Sequence, residues 1–261
     1  MKAIARRTFL EQYATVRHSE GRGSADREYY LALPYADLSG RNAWQWKIRA
    51  CTFDFFIRRV IEPEEKRLGR SLRILDVGAG NGWLSWRLRQ RGHDAVPVDI
   101  FTDQRDGLGA IPKYTELPAV AADFDQLPFG AETFDLIVYN ASFHYSSDYR
   151  ATLEQARHCL RAGGQIAILD SPLYQRRQDG ERMKSEREAV FEKTYGFRSN
   201  ALGSIEYLDE DTLTELSNQL ALQWKRAEPW YGLQWALRPW KARLKGSRPP
   251  SRFVVLTGTF R

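Results

Sequence analysis

Acidic residues lie at or near the ends of several apolar runs in this 261-residue chain. Asp76, Asp99, Asp123 and Asp170 hold such positions, and His144 follows another apolar run. A carboxylate accepts hydrogen bonds from hydroxyl or amino groups, and an imidazole takes up a proton near neutral pH. We therefore expect the acids to bind a polar ligand. His144 is the first candidate for a general base and Asp170 the second, with a packing role as the alternative for His144.

A glycine-rich turn follows the first apolar run. Residues 72–82 read Leu-Arg-Ile-Leu-Asp-Val-Gly-Ala-Gly-Asn-Gly. The apolar part predicts a strand that is buried on both faces, and a helix is expected from Trp83 to about residue 91. Gly78 and Gly80 allow a tight turn and a close approach of a ligand to the backbone. Strand, turn and helix together predict the ligand crevice at the edge of an open α/β sheet.

The same alternation of strand and helix continues downstream. Apolar runs at 95–98, 120–129 and 133–140 predict three more strands, and a fifth is predicted at 165–169 after a helix at about 149–160. Asp99 lies 21 residues after Gly78, the distance at which an acid at the tip of the second strand reaches ribose hydroxyls.

Taken in order, these motifs resemble the class I S-adenosylmethionine-dependent methyltransferases, in particular the small-molecule type. The motifs are D-V-G-x-G-x-G at 76–82, Asp99, D-x-x-x-L-P-F at 123–129 and L-x-x-G-G at 160–164. The resemblance is close over about residues 70–170. It implies a Rossmann-like, doubly wound sheet of seven strands in the order 3-2-1-4-5-7-6, with the last strand antiparallel.

The resemblance also implies S-adenosylmethionine as the cofactor and methyl transfer to a small molecule as the activity. Asp99 would bind the ribose, Asp123 and Phe124 the adenine, and Arg49 the carboxylate of the donor. The full donor site implied is Arg49, Asp76, Gly78, Ala79, Gly80, Asp99, Ile100, Asp123, Phe124 and Asn140. In-line methyl transfer needs neither a metal nor a covalent intermediate, so no metal site is expected.

A nicotinamide dinucleotide is the alternative cofactor. Such sites favour G-x-G-x-x-G, whose third glycine allows the helix to pack closely beside a pyrophosphate. Here the spacing is G-x-G-x-G, and position 83 holds a tryptophan. The spacing therefore favours the methyl donor.

Composition predicts one catalytic domain without a membrane-spanning or targeting segment, hence a cytoplasmic protein. Cys51 and Cys159 lack metal spacing and are expected to be reduced. A net charge of +6 and a pI near 9.3 are compatible with an anionic small substrate and do not exclude nucleic acid. The chain has no signature of an RNA-binding module, and the sequence does not predict an oligomeric state. An RNA or protein methyltransferase, or a non-catalytic protein of the same fold, remains an alternative.

The segments outside the donor-binding core, 71–170, are expected to bind the acceptor. Residues 1–70 predict a helical N-terminal cover, 171–207 a lid insertion after strand five, and 208–261 the rest of the sheet. In the last part, Leu233, Leu237, Trp240 and Leu244 have the spacing of an amphipathic helix. We expect this helix to pack on the sheet, which is favoured over the alternative of a membrane-surface helix, and no membrane partner is predicted.

Overall fold

The structure, a computed structural model, describes the backbone of residues 2–261 and the side chains from residue 4 onward. Seven strands form one sheet in the order β3-β2-β1-β4-β5-β9-β8. They are β1 Arg73–Val77, β2 Asp94–Asp99, β3 Val120–Ala121, β4 Phe134–Asn140, β5 Leu160–Leu169, β8 Leu222–Ala227 and β9 Val255–Phe260. The first five pair in parallel, and β9 runs antiparallel between β5 and β8. The predicted fold and strand order are confirmed.

Two short strands, β6 Leu173–Tyr174 and β7 Leu208–Asp209, form a separate parallel pair. The α-helices are α1 Lys2–Ser19, α2 Arg27–Ala32, α3 Ala43–Phe56, α4 Glu62–Leu68, α5 Trp83–Gln90, α6 Tyr149–Cys159, α7 Arg177–Tyr195, α8 Glu210–Leu220, α9 Leu233–Ala236 and α10 Arg238–Leu244. Within residues 2–261, no helix is both long enough and apolar enough to cross a membrane.

Alternate residues of the central strands pack against opposite helical layers. In β4, Leu136 and Val138 join the core beneath α3 and α5, whereas Ile137 and Tyr139 join the core beneath α6 and α8. Both faces of the strand are therefore buried, as its continuous apolar run predicts. This packing fixes the carboxyl ends of the parallel strands along one edge of the sheet.

The helix before β1 differs from its prediction. The helical spacing of Trp44, Ile48, Cys51 and Phe55 predicts that these residues form the buried face. Glu62-Pro63 is predicted to end the helix. Instead, Trp46, Phe53 and Phe56 are buried beside Ile48, while Trp44 is 46% exposed. The helix also passes through a π-turn at Ile57–Ile61 into α4, where Pro63 lies in the first turn and needs no amide donor.

The C-terminal helix also departs from its prediction, which placed it on the sheet. It consists of α9 and α10, and neither contains a buried residue. Leu233, Trp240 and Leu244 are 72%, 64% and 69% exposed. The periodicity correctly predicted an amphipathic helix, but spacing alone does not determine which way the apolar stripe faces.

Candidate functional site

A cavity opens at the edge of the sheet where β1, β2 and β4 end. We call it the first cavity. All ten residues predicted for the donor site line it: Arg49, Asp76, Gly78, Ala79, Gly80, Asp99, Ile100, Asp123, Phe124 and Asn140. Parallel pairing brings all of them but Arg49 together, because it places successive strand ends at one edge, while Arg49 comes from α3.

The glycine turn forms one wall of the first cavity. Gly78 has φ +74°, and a Cβ there would lie 2.3 Å from the Cβ of Ser142, so this glycine is required by packing. Gly80 has φ +55°, and a Cβ there would meet only the carbonyl oxygen of Asp106, at 3.5 Å. Gly80 therefore leaves open space beside the turn, where a ligand can approach the backbone.

Asp99 ties the tip of β2 to the glycine turn. Its Oδ2 accepts the Gly80 amide at 2.7 Å, and its Oδ1 accepts the Phe101 amide at 2.8 Å. Burial raises the pKa of Asp99 to about 6, although these backbone donors oppose the rise. The remaining acceptor capacity of the carboxylate is suited to ligand hydroxyl groups.

Asp76 lies deeper, within β1. Its Oδ2 accepts the Ser85 hydroxyl at 2.8 Å, and its Oδ1 is buried without a hydrogen-bond partner among the described residues. Burial raises the pKa of this carboxyl to about 7. A cationic ligand in the first cavity would stabilise the ionised forms of Asp76 and Asp99. The two buried carboxyl groups therefore favour a ligand that carries positive charge.

The N-terminal helix α1 covers the first cavity. Phe9, Tyr13 and Arg17, four residues apart on one helix face, line it. Arg6 forms an ion pair with Asp123, one of whose oxygens also accepts the amide of Phe124 at 2.7 Å. An adenine amino group that binds Asp123 would therefore compete with Arg6.

Two arginines add positive charge to this cover. Arg17 forms an ion pair with the buried Asp106, and the Arg49 guanidinium lies 4.9 Å from the ring centre of Trp46. Burial, together with the nearby Arg22 and Arg17, lowers the pKa of Arg49. Arg49 has no carboxylate partner within the described part of the chain, so it can bind an anionic ligand group.

The sequence predicted a helical cover over residues 1–70, but the residues of α1 that line the cavity were not singled out. Only the four-residue spacing of Phe9, Tyr13 and Arg17 could have indicated them. Asp106 had no sequence signal, because its burial depends on its contact with Arg17. Of the tyrosines in the predicted cover, Tyr29 and Tyr30 are buried in the core and do not line the cavity.

A second cavity adjoins the first. Its lining residues come from distant parts of the chain: Trp44, Gln45, Ile48, Arg49, Ala141, His144, Tyr145, Asp170, Pro172, Trp235, Arg238 and Phe253. Arg49, Ala141 and Tyr145 line both cavities and form the boundary between them. Both predicted catalytic residues, His144 and Asp170, are in the second cavity.

These two candidates differ in their electrostatic environment. Burial, with the positive charges of Arg187 and Arg49, lowers the pKa of His144 to about 3. Burial raises the pKa of Asp170 to about 6, although Thr52 donates a hydrogen bond of 2.6 Å to its Oδ1. Its Oδ2 is buried without a partner among the described residues. A base works best with a pKa near the working pH, which favours Asp170 over His144.

Comparison with known proteins agrees with this geometry. A family model described as a methyltransferase domain matches residues 75–168. An uncharacterized methyltransferase of Mycobacterium tuberculosis is 35% identical over 98 residues, which cover 37% of this chain and 39% of the relative. A tRNA U34 carboxymethyltransferase of a Geobacter species is 25% identical over 179 residues, covering 61% of this chain and 51% of the relative. The chain thus spans about half or less of the length of these relatives.

A solved structure shows the same fold over a longer stretch. A protein of Pyrococcus horikoshii aligns with a TM-score of 0.55 and 15% identity, covering 91% of this chain and 100% of that one. The strand order, the four motifs and the matching family model together support the class I S-adenosylmethionine-dependent methyltransferase family for residues 75–168 of this chain.

Proposed function

We propose that this protein transfers a methyl group from S-adenosylmethionine in the first cavity to a small molecule in the second. The observation that carries this proposal is the shared boundary of the two cavities, formed by Arg49, Ala141 and Tyr145. Two ligands on either side of that boundary would lie close together while protein surrounds them. Such positioning lowers the barrier of a displacement by up to roughly 7–11 kcal/mol in ideal cases.

The first cavity has complementary groups for each part of the donor. Asp99 would accept hydrogen bonds from the ribose, Asp123 would accept one from the adenine amino group, and Arg49 would bind the carboxylate. When bound, S-adenosylmethionine supplies a methyl group on a positively charged sulfur. The ionised forms of Asp76 and Asp99 would balance its net positive charge.

Asp170 is the base that we propose for an acceptor that must lose a proton. Its unpartnered Oδ2 can accept that proton, while Thr52 fixes the orientation of the carboxylate. Tyr231 in turn lies 2.8 Å from the Thr52 hydroxyl, so the network continues behind Asp170. His144, neutral at physiological pH, would line the acceptor site and contribute shape and hydrogen bonding.

The acceptor is best sought with radiolabelled S-adenosylmethionine and fractionated metabolite pools. We expect label to appear in a small-molecule fraction, and to require an intact Asp170 if the acceptor atom carries a proton. Label in RNA but in no metabolite would favour an RNA methyltransferase; RNA is also the kind of acceptor named for the Geobacter relative, a tRNA U34 carboxymethyltransferase. Donor binding without any label transfer would favour a non-catalytic protein. The cytoplasm remains the proposed location.

A further inference from the structure

The C-terminal helix presents an unusual surface beside the second cavity. Leu237 N donates to Leu233 O, and Lys241 N donates to Leu237 O, each at 3.0 Å, so α9 and α10 form one nearly continuous helix. Leu233, Leu237, Trp240 and Leu244 are separated by four, three and four residues. At 3.6 residues per turn, this spacing places all four on one narrow stripe, which we call the apolar stripe.

Contacts on the other side of the helix fix the direction of the apolar stripe. The Trp235 ring packs against the rings of Tyr231 and Phe253, with centroids 4.8 and 5.3 Å apart. Arg238 lies over the Trp235 ring and donates to the carbonyl of Ser251 at 2.8 Å. The helix is thus attached to the protein through Trp235 and Arg238, and the apolar stripe faces solvent.

Basic side chains flank the apolar stripe. Lys241, Arg243 and Lys245 form no ion pair within residues 4–261, and the sequence has no acidic residue after Glu228. By contrast, Arg252 pairs with Glu228 at 3.2 Å. The surface therefore combines exposed leucine and tryptophan with uncompensated positive charge.

We propose that the apolar stripe and its basic flanks dock this protein on an anionic membrane surface. Leucine and tryptophan on one face, with lysine and arginine beside them, are the features of a helix that lies in the membrane interface. Each basic residue near such a surface strengthens binding about fivefold through attraction to anionic lipid. The earlier expectation of no membrane partner depended on this helix packing on the sheet, and its exposed stripe removes that basis.

Two other occupants fit the surface less well. A second copy of the chain, bound about a two-fold axis through the same surface, would place one basic surface against another, and their like charges would repel. The basic residues would attract nucleic acid, but its phosphate backbone would leave the apolar side chains of Leu233, Trp240 and Leu244 exposed to water. Of these three occupants, an anionic membrane is the one that accommodates both the charges and the apolar side chains.

Docking in this way would also orient the second cavity. Trp235 and Arg238, on the inner side of the same helix, line that cavity, as does the half-exposed Trp44. The mouth of the second cavity would then lie beside the lipid surface. This inference does not depend on methyl transfer, because vesicle binding is measured without donor or acceptor.

The test is flotation of the full-length protein with vesicles of phosphatidylcholine alone or mixed with phosphatidylglycerol. We expect binding to the mixed vesicles, weaker binding at high salt and little binding to the neutral ones. The triple variant Leu237→Gln, Trp240→Gln and Leu244→Gln should weaken binding by about tenfold or more. Val190→Gln is the matched control, since Val190 is 60% exposed on α7 and should be dispensable.

A second variant tests the charges: Lys241→Gln, Arg243→Gln and Lys245→Gln together should weaken binding to the mixed vesicles by about tenfold or more. Failure of the folded wild-type protein to bind mixed vesicles would overturn the proposal. So would equal binding by the wild-type protein and the triple variant that alters the apolar stripe. Sedimentation that shows a dimer, dissociated by that triple variant, without vesicle binding would assign the stripe to a second copy instead.

Discussion

The two cavities share a wall but differ in how the chain builds them. Most of the first cavity comes from strand ends and one glycine turn, within residues 76–142, and its lining includes four aspartates. The second cavity combines side chains from α3, from the end of β5 and from the C-terminal helix, and aromatic and basic groups dominate it. Most residues of the first cavity thus lie within the range that matches the methyltransferase family model, whereas most residues of the second lie outside it.

The largest expected effect lies in the second cavity. Asp170→Asn should lower turnover of a proton-bearing acceptor by about 10²–10⁴-fold, because the amide cannot take up the proton. Donor affinity should stay within about twofold of wild type, since Asp170 does not line the first cavity. Steady-state kinetics and calorimetry on the same preparation separate the two effects. Loss of donor affinity with unchanged turnover would show that Asp170 contributes to donor binding and does not act as the base.

The second-largest expected effect is a loss of donor affinity in the first cavity. Gly80→Val should weaken donor binding by more than about 100-fold, because the branched side chain would fill the space beside the turn. Gly163→Val is the matched control: Gly163 also has positive φ, and a Cβ there meets nothing within 4 Å. Equilibrium dialysis with labelled donor measures both. Wild-type affinity in folded Gly80→Val would mean that the donor does not lie over the turn.

Replacing a single acidic residue should weaken donor binding less than Gly80→Val does. Asp99→Ala should weaken donor binding by about 1.5–3 kcal/mol, the range for hydrogen bonds to charged groups. Asp123→Ala should cost less, because in the wild-type protein the donor must displace Arg6 from Asp123. Calorimetric titration of both variants tests this order. A larger loss for Asp123→Ala would show that its pair with Arg6 does not compete with the donor.

Donor affinity should also depend on pH. Burial raises the pKa of Asp99 to about 6 and that of Asp76 to about 7, and a cationic donor favours their ionised forms. Binding should therefore be strongest above pH 7 and weaken as pH falls through this range. For Asp99 alone, the loss is about tenfold one pH unit below its pKa. In Asp99→Asn, the part of the pH dependence that centres near 6 should disappear.

The smallest effect is expected at His144. With a pKa near 3, its imidazole is a weak base, so His144→Ala should lower turnover by less than about tenfold. A pH–rate profile distinguishes the two candidates, because Asp170 should give an ascending limb near pH 6 that His144→Ala retains. A collapse of turnover in His144→Ala together with loss of that limb would move the base to His144.

The difference between the cavities also explains what the sequence could predict. Nine of the ten residues predicted for the donor site line the first cavity because motif spacing and parallel pairing leave little freedom near the strand ends, whereas Arg49 reaches it from α3. A helical N-terminal cover was predicted, but the α1 residues that line the cavity and the buried Asp106 were not, since their position depends on tertiary contacts such as the pair of Asp106 with Arg17. The apolar stripe was recognised as a helix face, but its exposure follows from Trp235 packing on Phe253, which spacing does not encode.

The central claim is that the first cavity binds S-adenosylmethionine, and calorimetric titration of the wild-type protein tests it most directly. We expect micromolar affinity for the donor and for its demethylated product, which at 1 μM corresponds to roughly −8 kcal/mol. The nicotinamide dinucleotide should give no heat of binding. Binding of that dinucleotide, with no heat from the donor or its product, would contradict the account.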